Sequence, residues 1–320
     1  MEVGAGVMAR GKRDRLDPTF RALTASSAAV ILALMGGVVW QLWSNSGPAW
    51  ERFGLGFLFS QEWDPVLGDF GAASSIFGTL MSTVVAMALA APMSVAIALF
   101  LVEMAPPTVA KVVGGGVELL AAIPSIIYGM WGLFVFAPFM ADHVQPAAQR
   151  VFGSTPVLNY LLAGPPIGIG MGTAGIILAL MVLPYISAVM RDVFAMVPSV
   201  VKESAYGMGS TTWEVTRKVT LPYGSQGIVG ACFLGLGRAL GETMAVTFVI
   251  GNAHRIHASL LAPGNSIAST LANEFVEADD PLYRSVLIEL GLVLLAMTLV
   301  IQILAQLWLG RLRKRMGGGL

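Results

Sequence analysis

The chain has 320 residues, of which 56% are hydrophobic and 12% are charged, and its mean hydropathy is +0.75. These values exclude an ordinary soluble domain and predict an integral membrane protein with several spans. The formal net charge is zero, which argues against nucleic acid as a partner. A single cysteine, Cys232, excludes a disulfide within the chain.

The N-terminal part consists of a basic tail at 1–21 followed by an apolar run at 22–44. The run is too long for a secretory signal peptide, and no small-residue cleavage site follows it. We therefore expect an uncleaved first transmembrane helix with the tail in the cytoplasm. Segment 45–71 then lies outside the cell, and its aromatic residues, such as Trp63, are typical of the membrane interface.

Five further apolar runs complete a predicted all-α integral membrane protein with six transmembrane helices. Pro124 predicts a kink within the third span. External loops at 141–167 and 251–284 follow the third and fifth spans, and a basic cytoplasmic tail occupies 311–320. The five spans are expected at about 72–102, 112–140, 168–190, 226–250 and 285–309.

The distribution of Lys and Arg predicts the orientation, because cytoplasmic loops are enriched in these residues. With both termini in the cytoplasm, fourteen cations lie inside and four lie outside. This orientation also places the polar segment 191–224 in the cytoplasm. The inside set is Arg10, Lys12, Arg13, Arg15, Arg21, Lys111, Arg191, Lys202, Arg217, Lys218, Arg311, Arg313, Lys314 and Arg315; the outside set is Arg52, Arg150, Arg255 and Arg284.

The polar segment between the fourth and fifth spans has the pattern of a helical hairpin. Ser199 is placed to cap a short first helix, with Glu203 in its first turn, where an acid is favoured. Gly209 is expected to end that helix, since glycine enters the left-handed region at little cost. The segment should therefore turn sharply at this glycine.

The second arm of the hairpin is predicted to begin immediately after the turn. Thr211 and Glu214 have the spacing of a capping box, which starts a helix. Leu221-Pro222 should end it, because proline disfavours helical geometry in the residue before it. A compact hairpin of this kind suits docking into a groove on a partner.

This segment resembles the EAA loop of ATP-binding-cassette (ABC) importer permeases, which reads E-A-A, three residues, G, nine residues, I-x-L-P. Here Ser replaces the first Ala and Val replaces the Ile. The resemblance implies that the hairpin couples the chain to a cytoplasmic ATPase. The implied coupling residues are Glu203, Ser204, Ala205, Tyr206, Gly209, Leu221 and Pro222.

Two charged residues interrupt the fifth apolar run. Counted from Gln226, Arg238 lies about 18 Å along a helix, near the bilayer midplane, where a charge must face protein or a wet cavity. Glu242 follows four residues later, so an unbroken helix would place both on one face, within reach of each other. In one reading, Arg238 lines a pathway for an oxyanion and Glu242 holds Arg238 in position. In the other, Arg238 and Glu242 form a buried structural ion pair, alone or with residues of a partner.

The sequence around these charges resembles that of phosphate-specific ABC importer permeases of the Pst system. Residues 237–246 read GRALGETMAV, as in the family signature G-R-A-x-G-E-T-M-A-V, and 123–129 read IPSIIYG, similar to its I-P-S-x-x-Y-G segment. Trp63-x-Pro65 and the WGLFV segment at 131–135 look more like the PstC-type than the PstA-type subunit. The resemblance covers about residues 20–312.

The resemblance implies a type I ABC importer permease core at 72–310, with its coupling loop at 191–224, in the bacterial cytoplasmic (inner) membrane. Of the two readings of Arg238 and Glu242, we expect the substrate-pathway role, on the grounds of their midplane position. Besides lipid, the implied partners are a second, PstA-like permease, a PstB-like ATPase dimer that binds ATP and Mg, and an external PstS-like phosphate-binding protein. The chain has no G-x-x-x-x-G-K-[ST] loop, so we expect neither enzymatic activity nor a cofactor in it.

Other readings of the sequence remain open. The chain could be the PstA-type partner or carry another oxyanion, and an ion-driven secondary transporter is the rival class, although no clear internal repeat supports it. His254 and His257 lack further ligands, so no metal is expected. Interior hydrogen bonding is expected for Glu118 and Glu289, with a role on the pathway as the alternative. The acidic stretch 274–280 either contacts a binding protein or is a solvated loop.

Overall fold

The computed structural model describes residues 16–153 and 155–315, and this part of the chain is almost entirely helical. Most of the predicted tail at 1–21 and residues 316–320 therefore lie outside the described residues. Two short strands, β1 (Trp63–Asp64) and β2 (Asp69–Phe70), form an antiparallel hairpin. The helices are α1 (Leu16–Asn45), α2 (Gly47–Phe53), α3 (Ala73–Leu99), α4 (Pro107–Ala122), α5 (Ser125–Trp131), α6 (Ala137–Phe139), α7 (Gln145–Phe152), α8 (Pro156–Leu161), α9 (Met171–Ala195), α10 (Ser199–Gly207), α11 (Thr212–Val215), α12 (Leu221–Leu240), α13 (Met244–Ile250), α14 (Ile267–Glu274) and α15 (Pro281–Arg315).

Wider π turns and one 3-10 helix join or extend several of these helices. A π turn at Phe100–Met104 extends α3, and π turns at Gly132–Phe136 and Met140–Val144 make α5, α6 and α7 one continuous helix. Another at Thr216–Thr220 joins α11 to α12, and the 3-10 helix Gly54–Leu58 follows α2.

Six helical stretches of the described chain are long and apolar enough to cross a membrane, which confirms the predicted number of spans. The last helix continues to Arg315, so the predicted basic tail at 311–320 is helical over its first residues. The stretches are Pro18–Asn45, Ala73–Met104, Ser125–Phe152, Met171–Ala195, Thr212–Leu240 and Pro281–Arg311.

The third span differs from the prediction. The kinked span expected at 112–140 is wrong, because the helix breaks completely between Ala122 and Ser125. Ile123 and Pro124 are both extended, with ψ of 130° and 137°, and proline disfavours helical geometry in the residue before it. The span therefore starts at Ser125 and continues to Phe152, into the predicted external loop.

The fifth span differs at both ends. Pro222 does not end the hairpin's second helix, because the π turn at Thr216–Thr220 re-spaces the backbone ahead of the proline and the helix continues into α12. The span expected to run unbroken to Ile250 instead stops at Leu240. Gly241 caps α12, and a separate helix, α13, begins at Met244.

The fourth span, α9, forms the centre of the bundle. The most apolar stretch of α9 is 67% buried, whereas that of α1 is 0% buried. Helices α3, α4, α12 and α13 pack around α9, as expected for a helix that is apolar on all faces. An added Cβ at Gly235 of α12 would lie 2.4 Å from Ile186, so glycine permits this close approach.

Gly78 of α3 has the tightest surroundings among the described glycines. An added Cβ there would lie 1.7 Å from the backbone oxygen of Asn265, which cannot move without shifting its loop. We expect Gly78→Ala to lower the free energy of unfolding by about 1–3 kcal/mol. The matched change Gly36→Ala in α1, where an added Cβ has nothing within 4 Å, should leave the melting temperature nearly unchanged. Equal thermal unfolding curves for the two variants in detergent would contradict this packing.

Candidate coupling hairpin and transport pathway

The polar segment between α9 and α12 forms the predicted hairpin. Helix α10 ends at Gly207, and Gly209 adopts a left-handed turn with φ of +85°, as predicted. The capping box is also confirmed. The Glu214 N–H donates to Thr211 Oγ1 at 3.3 Å, and the Thr211 N–H donates to Glu214 Oε2 at 3.0 Å. Both arms are therefore fixed where they leave the turn.

The start of α10 differs from the prediction. Pro198 occupies the N-cap position with extended geometry, so Ser199 is the first helical residue and does not cap the helix. Glu203 consequently lies beyond the first turn. The φ of Pro198, −58°, lies in the range that the proline ring fixes, and its ψ of 132° gives the extended geometry of an N-cap residue.

The tip of the hairpin exposes several apolar side chains. Met208 is 81%, Trp213 is 66% and Tyr206 is 42% exposed. Ala205, by contrast, is buried. Exposed apolar groups concentrated on a polar projection indicate a surface that binds another protein. Of the other predicted coupling residues, Glu203, Ser204 and Pro222 are exposed and Leu221 is half-buried.

Glu103 anchors both arms of the hairpin to the end of the second span. Its Oε1 accepts a bond from Lys202 Nζ at 2.6 Å and another from Thr220 Oγ1 at 3.0 Å. The Glu103 side chain is only 5% exposed. The sequence analysis did not identify Glu103, although it is the one charged residue of the span Ala73–Met104, and an acid in an apolar span needs a partner.

A second ion pair holds α4 against the base of α9. Arg191 Nη2 donates to Glu118 Oε1 at 2.5 Å. Gly114 of α4 allows this approach, because an added Cβ would lie 2.7 Å from Arg191 Nη1. Glu118 therefore has a hydrogen-bond partner as expected, but its side chain is 55% exposed, so the expected interior position is wrong.

The charged residues assigned to the pathway lie on either side of the break in the fifth span. Arg238 is in the last turn of α12, where a cation is favoured, and its guanidinium lies 5.8 Å from the centre of the Tyr185 ring. Glu242 lies beyond the end of that helix, and its Oε1 accepts the Ala245 N–H at 3.3 Å. The prediction that one helix face carries both is therefore wrong, because Gly241 ends the helix.

Neither charge is neutralised by the other. Within the described residues, Arg238 and Glu242 take part in no ion pair. Arg238 is exposed and Glu242 is half-buried. The guanidinium therefore makes no ion pair with the described carboxylates, and its donors match an oxyanion. The substrate-pathway role of the two residues stays a prediction.

Glu274 joins segments that the sequence predicts to be external. Trp63 Nε1 donates to Glu274 Oε2 at 2.8 Å, and His254 Nε2 lies 2.8 Å from Oε1. The Tyr283 hydroxyl also donates to Glu274. The Trp63 and His254 rings stack 4.6 Å apart. Trp63 is therefore part of this network, and its position at the membrane interface stays a prediction. Glu274 is not a solvated residue of the acidic loop, because its side chain is only 18% exposed.

This network predicts a dependence of stability on pH. Burial acts to raise the pKa of Glu274, but hydrogen bonds from His254, Tyr283 and Trp63 outweigh it and hold the pKa below its usual range. A carboxyl with a lowered folded-state pKa stabilises the fold above its unfolded pKa, and this stability is lost as the pH falls through the folded value. We expect the melting temperature to drop as the pH falls below about 4.

The matched variants for this prediction are Glu274→Gln and Glu277→Gln. Glu277 is an exposed neighbour in the same acidic stretch. Glu274→Gln should lower the melting temperature at neutral pH and reduce its further drop at acid pH. Glu277→Gln should give the same melting temperatures as the original protein. Parallel curves of melting temperature against pH for the original protein and Glu274→Gln would contradict the role of the network.

Two other polar groups were singled out by the sequence. In the described part of the chain, no group of three or more His, Cys, Asp or Glu side chains is placed to hold a metal ion. Glu289 of α15 is buried, and its Oε2 has no hydrogen-bond partner among the described residues. The interior hydrogen bonding expected for Glu289 is therefore wrong for that oxygen.

Comparison with known families assigns the chain to a class of protein. Residues 75–318 match the family described as "Binding-protein-dependent transport system inner membrane component". This match covers most of the chain, and the chain belongs to that family. Among solved structures, a bacterial ABC transporter for import of the acidic polysaccharide alginate has a similar chain fold, with a TM-score of 0.62 and 15% identity over 93% of this chain and 99% of that one. The MetNI methionine ABC transporter gives a TM-score of 0.52 at 17% identity, over 76% of this chain and 94% of that one.

Curated relatives are similar over almost their whole length. The "Phosphate transport system permease protein PstC" of Mesorhizobium japonicum is 52% identical, over 94% of this chain and 92% of that protein. The protein of the same name from Pasteurella multocida is 51% identical over 93% of each chain. A "Probable phosphate transport system permease protein PstC" from Methanocaldococcus jannaschii is 35% identical over 92% of this chain and 94% of the relative.

Proposed function

We propose that this chain is the PstC-type permease subunit of an ATP-driven importer of inorganic phosphate in the bacterial cytoplasmic membrane. The observation that carries the proposal is 52% identity, over 94% of the chain, to a protein named as a phosphate transport permease. The six apolar spans and the polar hairpin agree with it. Both termini then lie in the cytoplasm, on the side where Lys and Arg are concentrated.

The exposed hairpin is the proposed docking site for the ATPase. Met208, Trp213 and Tyr206 are exposed apolar side chains of the hairpin, and Gly209 with the capping box gives both arms a defined geometry. A PstB-like ATPase dimer, which binds the ATP and Mg, would pull this hairpin as its subunits close. The permease itself then needs no enzymatic activity, and ATP hydrolysis belongs to the partner.

The break in the fifth span is the proposed location of the pathway. In a membrane, non-helical backbone is tolerated only where it is buried in protein or lines a cavity. The residues of this break, together with Arg238 before it, form a polar region within an otherwise apolar span. Arg238 would meet the phosphate in passage, and Glu242 would hold the second half of the span in position through its bond to Ala245.

Reconstitution tests the proposed function. The chain is placed in liposomes with a PstA-like permease and a PstB-like ATPase, and uptake of labelled phosphate is measured with and without ATP and a PstS-like binding protein. Uptake should require all of these components. Uptake by the chain alone, driven by a proton or sodium gradient, would favour a secondary transporter, and preference for a different oxyanion would correct the assigned substrate.

A further inference from the structure

Three separate parts of the chain meet at the Glu103 carboxylate. Glu103 belongs to the π turn that ends the second span, Lys202 to the first arm of the hairpin, and Thr220 to the second. The partners are 99 and 117 residues away along the chain, and both donate to the same oxygen, Oε1. A single carboxylate oxygen thus holds both arms of the hairpin to one transmembrane helix.

The burial of this contact distinguishes it from the surface ion pairs. The side chains of Glu103 and Lys202 are 5% and 17% exposed, and Thr220 is buried. The nearby pair Lys218–Glu214 has side chains that are 71% and 42% exposed, and its contact is longer, at 3.3 Å. Exposed pairs contribute little, whereas a buried charge that loses its partner is strongly destabilised. The Glu103 contact therefore resists separation when the hairpin is displaced.

We propose that Glu103 is the positioning residue that transmits hairpin movement to the second span. The inference rests on the proposed function and deepens it, because it assigns a route from the ATPase docking surface into the membrane. A displacement of either arm moves Glu103. Because the π turn at Phe100–Met104 is continuous with α3, the same displacement moves α3. Helix α3 packs along the central helix α9, so the movement enters the core of the bundle.

The first test compares coupling in Glu103→Gln and Asp192→Asn. The glutamine keeps the shape of the side chain but removes the charge that binds Lys202. Asp192, whose side chain is 74% exposed and 3.9 Å from Arg191, is a matched carboxylate beside the hairpin. In the reconstituted four-component system, we expect the phosphate imported per ATP hydrolysed to fall at least about fivefold in Glu103→Gln and to stay unchanged in Asp192→Asn. The original ratio in an assembled Glu103→Gln complex would overturn the inference.

A second measurement tests the contact of Glu103 with Lys202 and Thr220 without depending on transport. In a Cys232→Ser background, spin labels are placed at Met208 on the hairpin and Val84 on α3, both of which are exposed. If Glu103 holds the hairpin rigidly to α3, the distance between the two labels should have a narrow distribution that is the same with and without ATP. In Glu103→Gln this distribution should be broader. An equally narrow distribution in Glu103→Gln would overturn the inference. If the original complex imports no phosphate, the proposed function fails separately.

Variants of Lys202 on the hairpin test the same contact if the Glu103→Gln complex does not assemble. Lys202→Met removes the same ion pair from the other partner and should lower the coupling ratio to the same extent. The exchanged pair Glu103→Lys with Lys202→Glu should recover assembly and part of the coupling, because it restores the attraction with reversed polarity. An exchanged pair that recovers neither would overturn the inference.

Discussion

Replacing Arg238 with Gln is expected to abolish phosphate uptake by the assembled importer, or to reduce it at least about tenfold. The guanidinium stands at the break of the fifth span with no ion pair to any described residue of this chain. Glutamine keeps hydrogen-bonding capacity but loses the positive charge and the planar fork that suit an oxyanion. Uptake of labelled phosphate in proteoliposomes measures the effect.

The control for this prediction is Arg150→Gln. Arg150 is also an exposed arginine in the last turn of a helix, α7, so its loss tests the removal of a cation in itself. Uptake and recovery of all subunits should stay near the original values in this variant. If Arg238→Gln prevents assembly as well as uptake, the structural reading of Arg238 is correct and the pathway role is not. Full uptake in an assembled Arg238→Gln complex would contradict both.

Replacing Gly209 with Val is expected to reduce recovery of the ATPase with the permease by about fivefold or more. The backbone at Gly209 has φ of +85°, a region that costs an L-residue roughly 1–2 kcal/mol and a β-branched residue more. An added Cβ there meets nothing within 4 Å, so the effect comes from the backbone conformation and not from a clash. Co-purification of the ATPase with tagged permease measures it.

Gly207→Ala is the matched change two residues earlier. An added Cβ at Gly207 also meets nothing within 4 Å, and Gly207 lies within α10 with no positive φ. Alanine favours a helix over glycine by about 1 kcal/mol, so binding of the ATPase should be retained or slightly improved. Undiminished ATPase recovery with Gly209→Val would show that the geometry of the turn does not matter for docking. Equal losses in both variants would indicate a surface effect at the tip instead.

The turn and the capping box of the hairpin could be predicted from the sequence because their causes are local. Gly209 needs only its own backbone freedom, and Thr211 bonds a residue three positions away. Where a local rule competed with a neighbouring feature, the prediction was less successful. Pro222 was expected to end a helix, but the π turn directly before it lets the helix continue. A rule for proline alone does not take account of a π turn in the preceding residues.

The broken spans show the same limit for the pathway. Pro124 and Gly241 mark both breaks in the sequence, yet the same residues are compatible with a kink or an unbroken helix. Packing selects between these outcomes. Gly129, just after the first break, packs against Ala245 of α13, just after the second, where an added Cβ would lie 3.0 Å from the Ala245 Cα. Arg238 and Glu242 are separated because Gly241 ends α12 between them, and this could not be read from their spacing.

By itself the sequence determined that this is a membrane protein with six apolar spans and a polar hairpin, since hydropathy, glycine turns and caps act over a few residues. The tertiary structure alone decided where the spans break and which distant groups meet. Glu103 with Lys202 and Thr220, and Glu274 with Trp63, pair across 99, 117 and 211 residues. Buried polar groups take whichever partner packing brings within hydrogen-bond distance, and that choice is made only when the helices assemble.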